Sequence, residues 1–283
     1  MPLSFTTLAR LSLIIAAAAP LAACSVQMTE QQLIRPIAGG SVAQAAITAA
    51  APSYSLTDHS IAASDGARLH GILLRQPGAR ATILYFGGNG YTIERFGAAT
   101  AAYFARLGVD LMIVDHRGYG LSEGRPTAAL LASDGLAAFD YLRGLGGSSQ
   151  ERIIVHGQSL GSFTAGHVAA HRETAGAVLE SSVTTTEDWV RSQRAPVRVT
   201  LAPALRGRGN LANMPLIGEP LLLLVGRSDR TTPPSLSEAL YRASPLPAER
   251  KTLVVVPGAG HNDALLKAEA FSAYRRFLDQ VLR

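Results

Sequence analysis

The stretch Arg152-Ile-Ile-Val-His-Gly-Gln-Ser-Leu-Gly161 constrains the fold of this chain more than any other. Ile153, Ile154 and Val155 are branched and apolar, and read as a short buried strand. Gly157-Gln158-Ser159-Leu160-Gly161 is a G-x-S-x-G, and Ser162 to His171 reads as a helix. A strand that passes into a helix across one serine forces that serine into a strained backbone conformation. Strand and helix then cross so closely that a side chain at 157 or 161 has no room. The same turn aims the first amides of the helix at the space above the serine, where a developing negative charge is stabilised.

The pattern occurs a second time, at Gly120-Leu-Ser122-Glu-Gly124. There the context is missing. Asp115-His-Arg-Gly-Tyr-Gly120 separates Ser122 from the strand before it, and Arg125-Pro126 stands where a helix should begin. Ser159 is therefore the candidate nucleophile, and Ser122 the competing choice read as a loop residue.

The rest of the chain supplies a sheet for that turn. Ser55–Ala63 and Ala67–Gln76 alternate around Asp65-Gly66, a hairpin signal. Strands are expected at 81–86, 109–115, 153–156, 176–180, 220–225 and 252–256. Helices are expected at 94–107, 129–145, 162–173, 234–243 and 264–282. This alternation predicts an α/β fold with a mostly parallel eight-stranded sheet and helices on both faces. With 47% hydrophobic and 17% charged residues, 283 residues suffice for one large core. The net charge of +5 comes without a dense Lys/Arg run, which argues against a nucleic-acid partner.

The N-terminus reads as a processing segment. Leu11 to Ala23 is apolar, rich in small residues and too short for an ordinary spanning helix. It runs into Leu21-Ala22-Ala23-Cys24, and Cys24 is the sole cysteine, so no internal disulfide can form. The four residues resemble the lipobox of bacterial lipoproteins. That resemblance implies a signal peptide over 1–23, acylation of Cys24 and a membrane contact through the anchor. The implied location is the bacterial cell envelope, with Ser25 pointing to the outer membrane facing the periplasm. An ordinary signal peptide or an uncleaved anchor is the competing reading. Residues 24–52 are expected as a tether, with a helical turn or two in Val42–Ala51, before a domain over 53–283.

A serine hydroxyl needs a base and an orienting acid, and sites in parallel sheets lie beyond the carboxyl ends of the strands. The strand at 221–225 ends in Gly226-Arg-Ser-Asp229, and that at 254–256 in Pro257-Gly-Ala-Gly-His261. Asp229 and His261 are the candidate acid and base, with Glu180 the second choice of acid and Asp263 a supporting residue. The other histidines fit less well. His156 reads as packed core, His59 and His70 lie in the hairpin, and His116 could line the site. His167 and His171 share a helical face at a spacing that suits a metal. No Glu follows His167, so the zinc motif is absent and no metal or cofactor is expected. Leu160 N–H should give one oxyanion donor, and the Gly-rich loop Phe86-Gly-Gly-Asn-Gly90 the other.

Leu84-Tyr-Phe-Gly-Gly-Asn89, Val114-Asp-His-Arg-Gly-Tyr-Gly-Leu-Ser-Glu-Gly124, Gly157-Gln-Ser-Leu-Gly161, Gly226-Arg-Ser-Asp229 and Gly258-Ala-Gly-His261 together resemble the α/β-hydrolase superfamily. The nearest branch is the group of monoglyceride-lipase-like and serine-aminopeptidase-like serine hydrolases. The resemblance implies Ser159 as nucleophile, Asp229 as acid, His261 as base, and Asn89 and Leu160 as oxyanion amides. One departure is visible: the family commonly has His-Gly where this chain has Gly87-Gly88. It also implies two-step acyl transfer on a small ester, thioester or lipid.

Val183 to Gly218 separates two strands and is expected as a short cap insertion over the site. It holds Trp189 and five arginines, at 191, 194, 198, 206 and 208. They form either a solvated face or a site for an anionic, phospholipid-like substrate. Three function classes follow: a carboxylic-ester hydrolase, a peptidase or other amide hydrolase, and a non-catalytic envelope protein on the same scaffold.

Overall fold

The structure, a computed structural model, describes residues 25–147, 152–194 and 197–283. In chain order the elements are β1 (Ser25–Met28), α1 (Glu30–Leu33), α2 (Gln44–Ala50), β2 (Ser55–Ala62), β3 (Arg68–Arg75) and β4 (Thr82–Phe86). Then come α3 (Ile93–Ala105), β5 (Asp110–Val114), α4 (Ala128–Gly144), β6 (Ile153–Gln158), α5 (Leu160–His171) and β7 (Gly176–Glu180). The last part holds α6 (Thr186–Ser192), β8 (Arg198–Leu201), β9 (Leu221–Gly226), α7 (Pro234–Ala243), β10 (Lys251–Val256) and α8 (Ala268–Val281).

Eight strands form the main sheet, in the order β10-β9-β7-β6-β4-β5-β3-β2. It is parallel from β10 to β5 and antiparallel within the β2–β3 hairpin and where β3 joins β5. Every residue of β4, β5, β7 and β9 is buried. Such strands are mostly apolar because helices cover both faces, with Thr82, Asp110 and Glu180 as polar residues at their ends. On one face Ile83, Tyr85, Ile154 and Leu222 pack with Phe104 of α3 and Tyr274 and Phe277 of α8. On the other Leu84, Val155 and Leu223 pack with Phe139 of α4, Val168 of α5 and Leu240 of α7. Helices α4 and α3 start at polar caps: Thr127 Oγ1 accepts from Leu130 N–H at 3.1 Å, and Thr92 Oγ1 accepts from Arg95 N–H at 3.4 Å.

One region departs from the sequence reading. Residues 25–52, expected as part of a tether, pack on the domain. β1 pairs in parallel with β8, Ser25 opposite Arg198 and Met28 opposite Leu201. Ile34 and Ile47 are 2% and 1% exposed, and Ile47 seats against α3 at Gly97. The low charge and the Gly and Pro punctuation suggested a solvated linker. Two isoleucines, one strand pairing and side-chain bonds from Glu30, Ser41 and Asn89 hold it down, and none of these repeats with a period that a sequence window detects. The insertion at 183–218 takes the place expected of it: it contains α6 and β8, and with β1 it forms a small cover over the carboxyl ends of the strands. Cys24 lies outside the described residues, as does the segment 1–23.

Candidate active site

The turn between β6 and α5 has the conformation its glycines demand. Ser159 sits at φ 53° and ψ −114°, a strained setting for a residue with a side chain. A Cβ on Gly157 would collide with the carbonyl of Gly161, and one on Gly161 with the carbonyl of Phe86. Strand, turn and helix are therefore locked together, with Ser159 N–H donating to Glu180 O at 2.8 Å.

Ser159 Oγ lies 2.9 Å from His261 Nε2, and His261 Nδ1 lies 2.9 Å from Asp229 Oδ2. Three residues from three loops, each following a parallel strand, thus form one hydrogen-bonded chain. Asp229 is 3% exposed. Its Oδ1 accepts from the amides of Thr231 and Thr232 at 2.9 and 2.8 Å, and Thr232 Oγ1 donates to Oδ2 at 2.8 Å. Burial pushes this carboxyl up, but the bonds from His261 and Thr232 outweigh it and hold it below the usual carboxylate range. A carboxylate held ionised in this place keeps a proton on Nδ1 and leaves Nε2 to accept one from serine.

The loop after β4 borders the serine: a Cβ on Gly88 would stand 3.3 Å from Ser159 Cβ. Leu160 is the first residue of α5. Neither Leu160 N–H nor Asn89 N–H finds a protein acceptor among the described residues, so both remain available as donors. His116, which the sequence left as a residue that could line the site, is 5% exposed and holds the loop from behind. Its Nε2 is 2.8 Å from Gly87 O, and its ring stacks on Phe86.

The other candidates separate from this chain. Glu180 points to the α3–α8 face, where its Oε2 is 3.4 Å from His156 Nε2, and it makes no bond to His261. Ser122 is 6% exposed; its Oγ donates to Asp115 O at 2.7 Å and accepts from His70 N–H at 2.8 Å. It has a structural place in the loop and no base beside it. Asp263 fastens the histidine loop by accepting from Gly260 N–H. His167 and His171 lie against each other with ring centroids 4.1 Å apart and ring planes tilted by 35°. No cluster of three metal-ligating residues occurs among the described residues.

A cavity of about 490 Å³ opens above Ser159 and His261. Leu160, Phe163, Val183, Trp189 and Leu205 give it apolar walls, and Arg208 stands at its edge. Met28, Gln32, Leu33, Ile34 and Arg35 form one side of it. That contribution was missed in the sequence, where only the isolated isoleucine in Gln32-Leu-Ile34-Arg-Pro36 hinted at a buried anchor.

With this fold and this arrangement the chain belongs to the α/β-hydrolase family and is an enzyme of the hydrolase class. Residues 77–211 match the family described as serine aminopeptidase, S33. An uncharacterized protein of Mycobacterium tuberculosis is 34% identical over 223 residues, 77% of each chain. Human alpha/beta hydrolase domain-containing protein 17B is 29% identical over 220 residues, 77% of this chain and 74% of the human one. Among solved structures, an esterase of Pyrococcus furiosus superposes with a TM-score of 0.70 at 19% identity, covering 88% of this chain and 99% of that one. An acetyl xylan esterase from Paenibacillus sp. R4 does so with a TM-score of 0.62 at 18% identity, covering 79% of this chain and 84% of that one. At these identities the two structures speak for the fold alone.

Proposed function

We propose that this hydrolase is a serine esterase that cleaves a carboxylic ester, a small ester, thioester or lipid, through an acyl-enzyme on Ser159. The observation that carries the reading is the continuous chain from Ser159 Oγ through His261 to the buried Asp229. His261 Nε2 takes the serine proton as Oγ attacks the ester carbonyl. Asp229 stabilises the imidazolium, and Asn89 and Leu160 amides receive the oxyanion. His261 then protonates the leaving alcohol, and water cleaves the acyl-enzyme by the same route in reverse. No cofactor enters this scheme.

An apolar wall of Leu160, Phe163, Val183 and Leu205 suits an acyl chain better than a polar peptide. The same three residues can serve amide hydrolysis, and the aminopeptidase description of the matched family keeps that as the second reading. A non-catalytic role is disfavoured by three side chains meeting at hydrogen-bond distance. The test is a panel of p-nitrophenyl esters of graded chain length beside aminoacyl anilides. Ester turnover with negligible anilide turnover supports the esterase; the reverse supports a peptidase; no turnover on either sinks both.

For location we propose a lipid anchor on Cys24 in the bacterial cell envelope, at the outer membrane facing the periplasm. The support is the Leu21-Ala-Ala-Cys24 sequence. One acyl chain binds a membrane only marginally, so firm anchoring needs several on this residue. Intact mass of the mature protein, beginning at Cys24 with added acyl mass, is the expected result.

A further inference from the structure

We propose that a second cavity, which meets the catalytic pocket at Gln158, binds a protonated amine, and that this amine is carried by the alcohol released from the ester. The leaving-group part rests on the function proposed above; the cation site stands on its own observations.

The second cavity has a volume of about 430 Å³ and lies between α3, the loop after β4 and the loop after β10. Aromatic rings form a belt along it. Phe96, Tyr91, Tyr85, Phe104 and Tyr103 follow one another with neighbouring centroids 5.5, 5.5, 5.8 and 5.1 Å apart. The faces of such rings attract organic cations. The belt already holds one cation at its exposed end, where the Arg95 guanidinium lies 5.2 Å from the centroid of Phe96. Burial raises the pKa of the Tyr85 and Tyr103 hydroxyls, and the charge of Glu180 adds to the rise, so both rings stay neutral.

Glu180 is the only acid on this lining among the described residues. It is 2% exposed, and neither of its carboxylate oxygens accepts a hydrogen bond among the described residues. His156 Nε2 stands 3.4 Å from Oε2, but the two do not complete a bond. A buried carboxylate without donors is costly. A protonated amine supplies the charge and the donors together, a neutral alcohol supplies only a donor, and an anion supplies neither.

The place of the cavity gives the amine its role. Asn89, Gln158 and Asn262 line both this cavity and the one above Ser159. Gln158 immediately precedes the serine, and its Nε2 donates to His261 O at 3.2 Å and to Asn262 Oδ1 at 3.3 Å. An acyl chain has the apolar wall of the first cavity. The leaving oxygen must take its proton from His261, so the leaving group lies beside Asn262, the next residue in the chain. The second cavity continues from there.

The protein is to be titrated calorimetrically with butylammonium and with butanol, which keeps the chain and removes the charge. Butylammonium should bind roughly tenfold more tightly or better. Glu180→Gln should remove that difference. Phe96→Ala, a change at the exposed end of the belt, should weaken butylammonium with the melting temperature retained, and so reads the site even where the Glu180 variant fails to fold. For the leaving group, ω-aminoalkyl acetates of graded length are compared with methyl-ended alkyl acetates of the same length. The amine-tailed esters should show a KM about tenfold lower at similar kcat, and Glu180→Gln should erase that advantage in KM. Equal binding of butylammonium and butanol, a difference that survives in Glu180→Gln, or unchanged affinity in Phe96→Ala overturns the cation site. Hydrolysis of both ester series with equal KM overturns the leaving-group role. Binding of butylammonium without hydrolysis of any ester would leave the cation site assigned and remove the esterase reading.

Discussion

Asn89 Nδ2 donates to the carbonyl oxygen of Leu33 at 2.6 Å, across 56 positions of sequence. The same side chain accepts, on Oδ1, from Arg35 N–H at 3.0 Å and from Tyr119 O–H at 2.7 Å. One asparagine thus ties together the loop beside the serine, the N-terminal strap and the loop after β5. All three bonds constrain the peptide whose N–H is proposed to meet the oxyanion. Preorganised donors act because they need not move when charge appears.

Asn89→Ala should therefore lower kcat on a soluble ester by about a hundredfold, the cost of displacing a reacting group by an ångström or so. KM should change much less, because the side chain bonds to protein rather than to substrate. Tyr119→Phe removes one of the three bonds and should have a smaller effect of the same kind. Steady-state kinetics on both variants, with thermal unfolding as a control for the strap, checks this. An unchanged kcat for Asn89→Ala would show that the loop is held without it.

How much of this was legible in the sequence follows the range of each interaction. The strand–turn–helix at Ser159 was readable because its steric demands are local, falling on Gly157 and Gly161. Asp229 and His261 were readable because parallel strands deliver residues to one edge. Asn89 was reachable through resemblance as a backbone donor, but its side-chain bonds to Leu33 and Arg35 were not, because nothing local distinguishes them. The packing of residues 25–52 was hidden for the same reason. Ile34 and Ile47 are single anchors without periodicity, and β1 pairs with a strand more than 170 positions away.

Asp229 rather than Glu180 should orient His261. Asp229→Asn would leave the packing almost intact but favour the wrong imidazole tautomer, and kcat should fall about 10⁴-fold. Glu180→Gln should lower turnover little, since its carboxylate faces His156 and not His261. Any cost should appear as lowered stability in the buried cluster with Tyr85 and Tyr274. Kinetics of the pair decides, and a large loss on Glu180→Gln with a small one on Asp229→Asn reverses the assignment.

His167 should make the protein acid-labile between about pH 6.5 and 4. Burial lowers its pKa from 6.5 to about 4, assisted by His171, Arg208 and Arg172. Below pH 6.5 the unfolded chain binds a proton there that the folded chain refuses. The contribution to stability is thus present above that pH and lost as pH falls towards 4. His167→Gln should flatten this part of the profile of denaturant midpoint against pH. A variant whose midpoint declines as steeply as that of the parent would remove His167 as the cause.

Ser159, and not Ser122, should be the residue that reacts. Both serines stand in G-x-S-x-G, and both are held in turns. Ser159 Oγ has His261 Nε2 at 2.9 Å and the start of α5 beside it. Ser122 Oγ spends its hydrogen on Asp115 O and its lone pair on His70 N–H. A hydroxyl so engaged has no base to activate it and no room for an incoming carbonyl. A fluorophosphonate probe should form a single adduct, on the peptide containing Ser159. Ser159→Ala should end labelling and lower kcat by several powers of ten, leaving the residue due to binding and the oxyanion donors. Ser122→Ala should retain labelling and show instead a lower melting temperature, because the amide of His70 loses its buried acceptor. Peptide mapping of the labelled protein reads the outcome directly: an adduct on Ser122 transfers the role to the second motif, and an unlabelled protein removes the serine mechanism altogether.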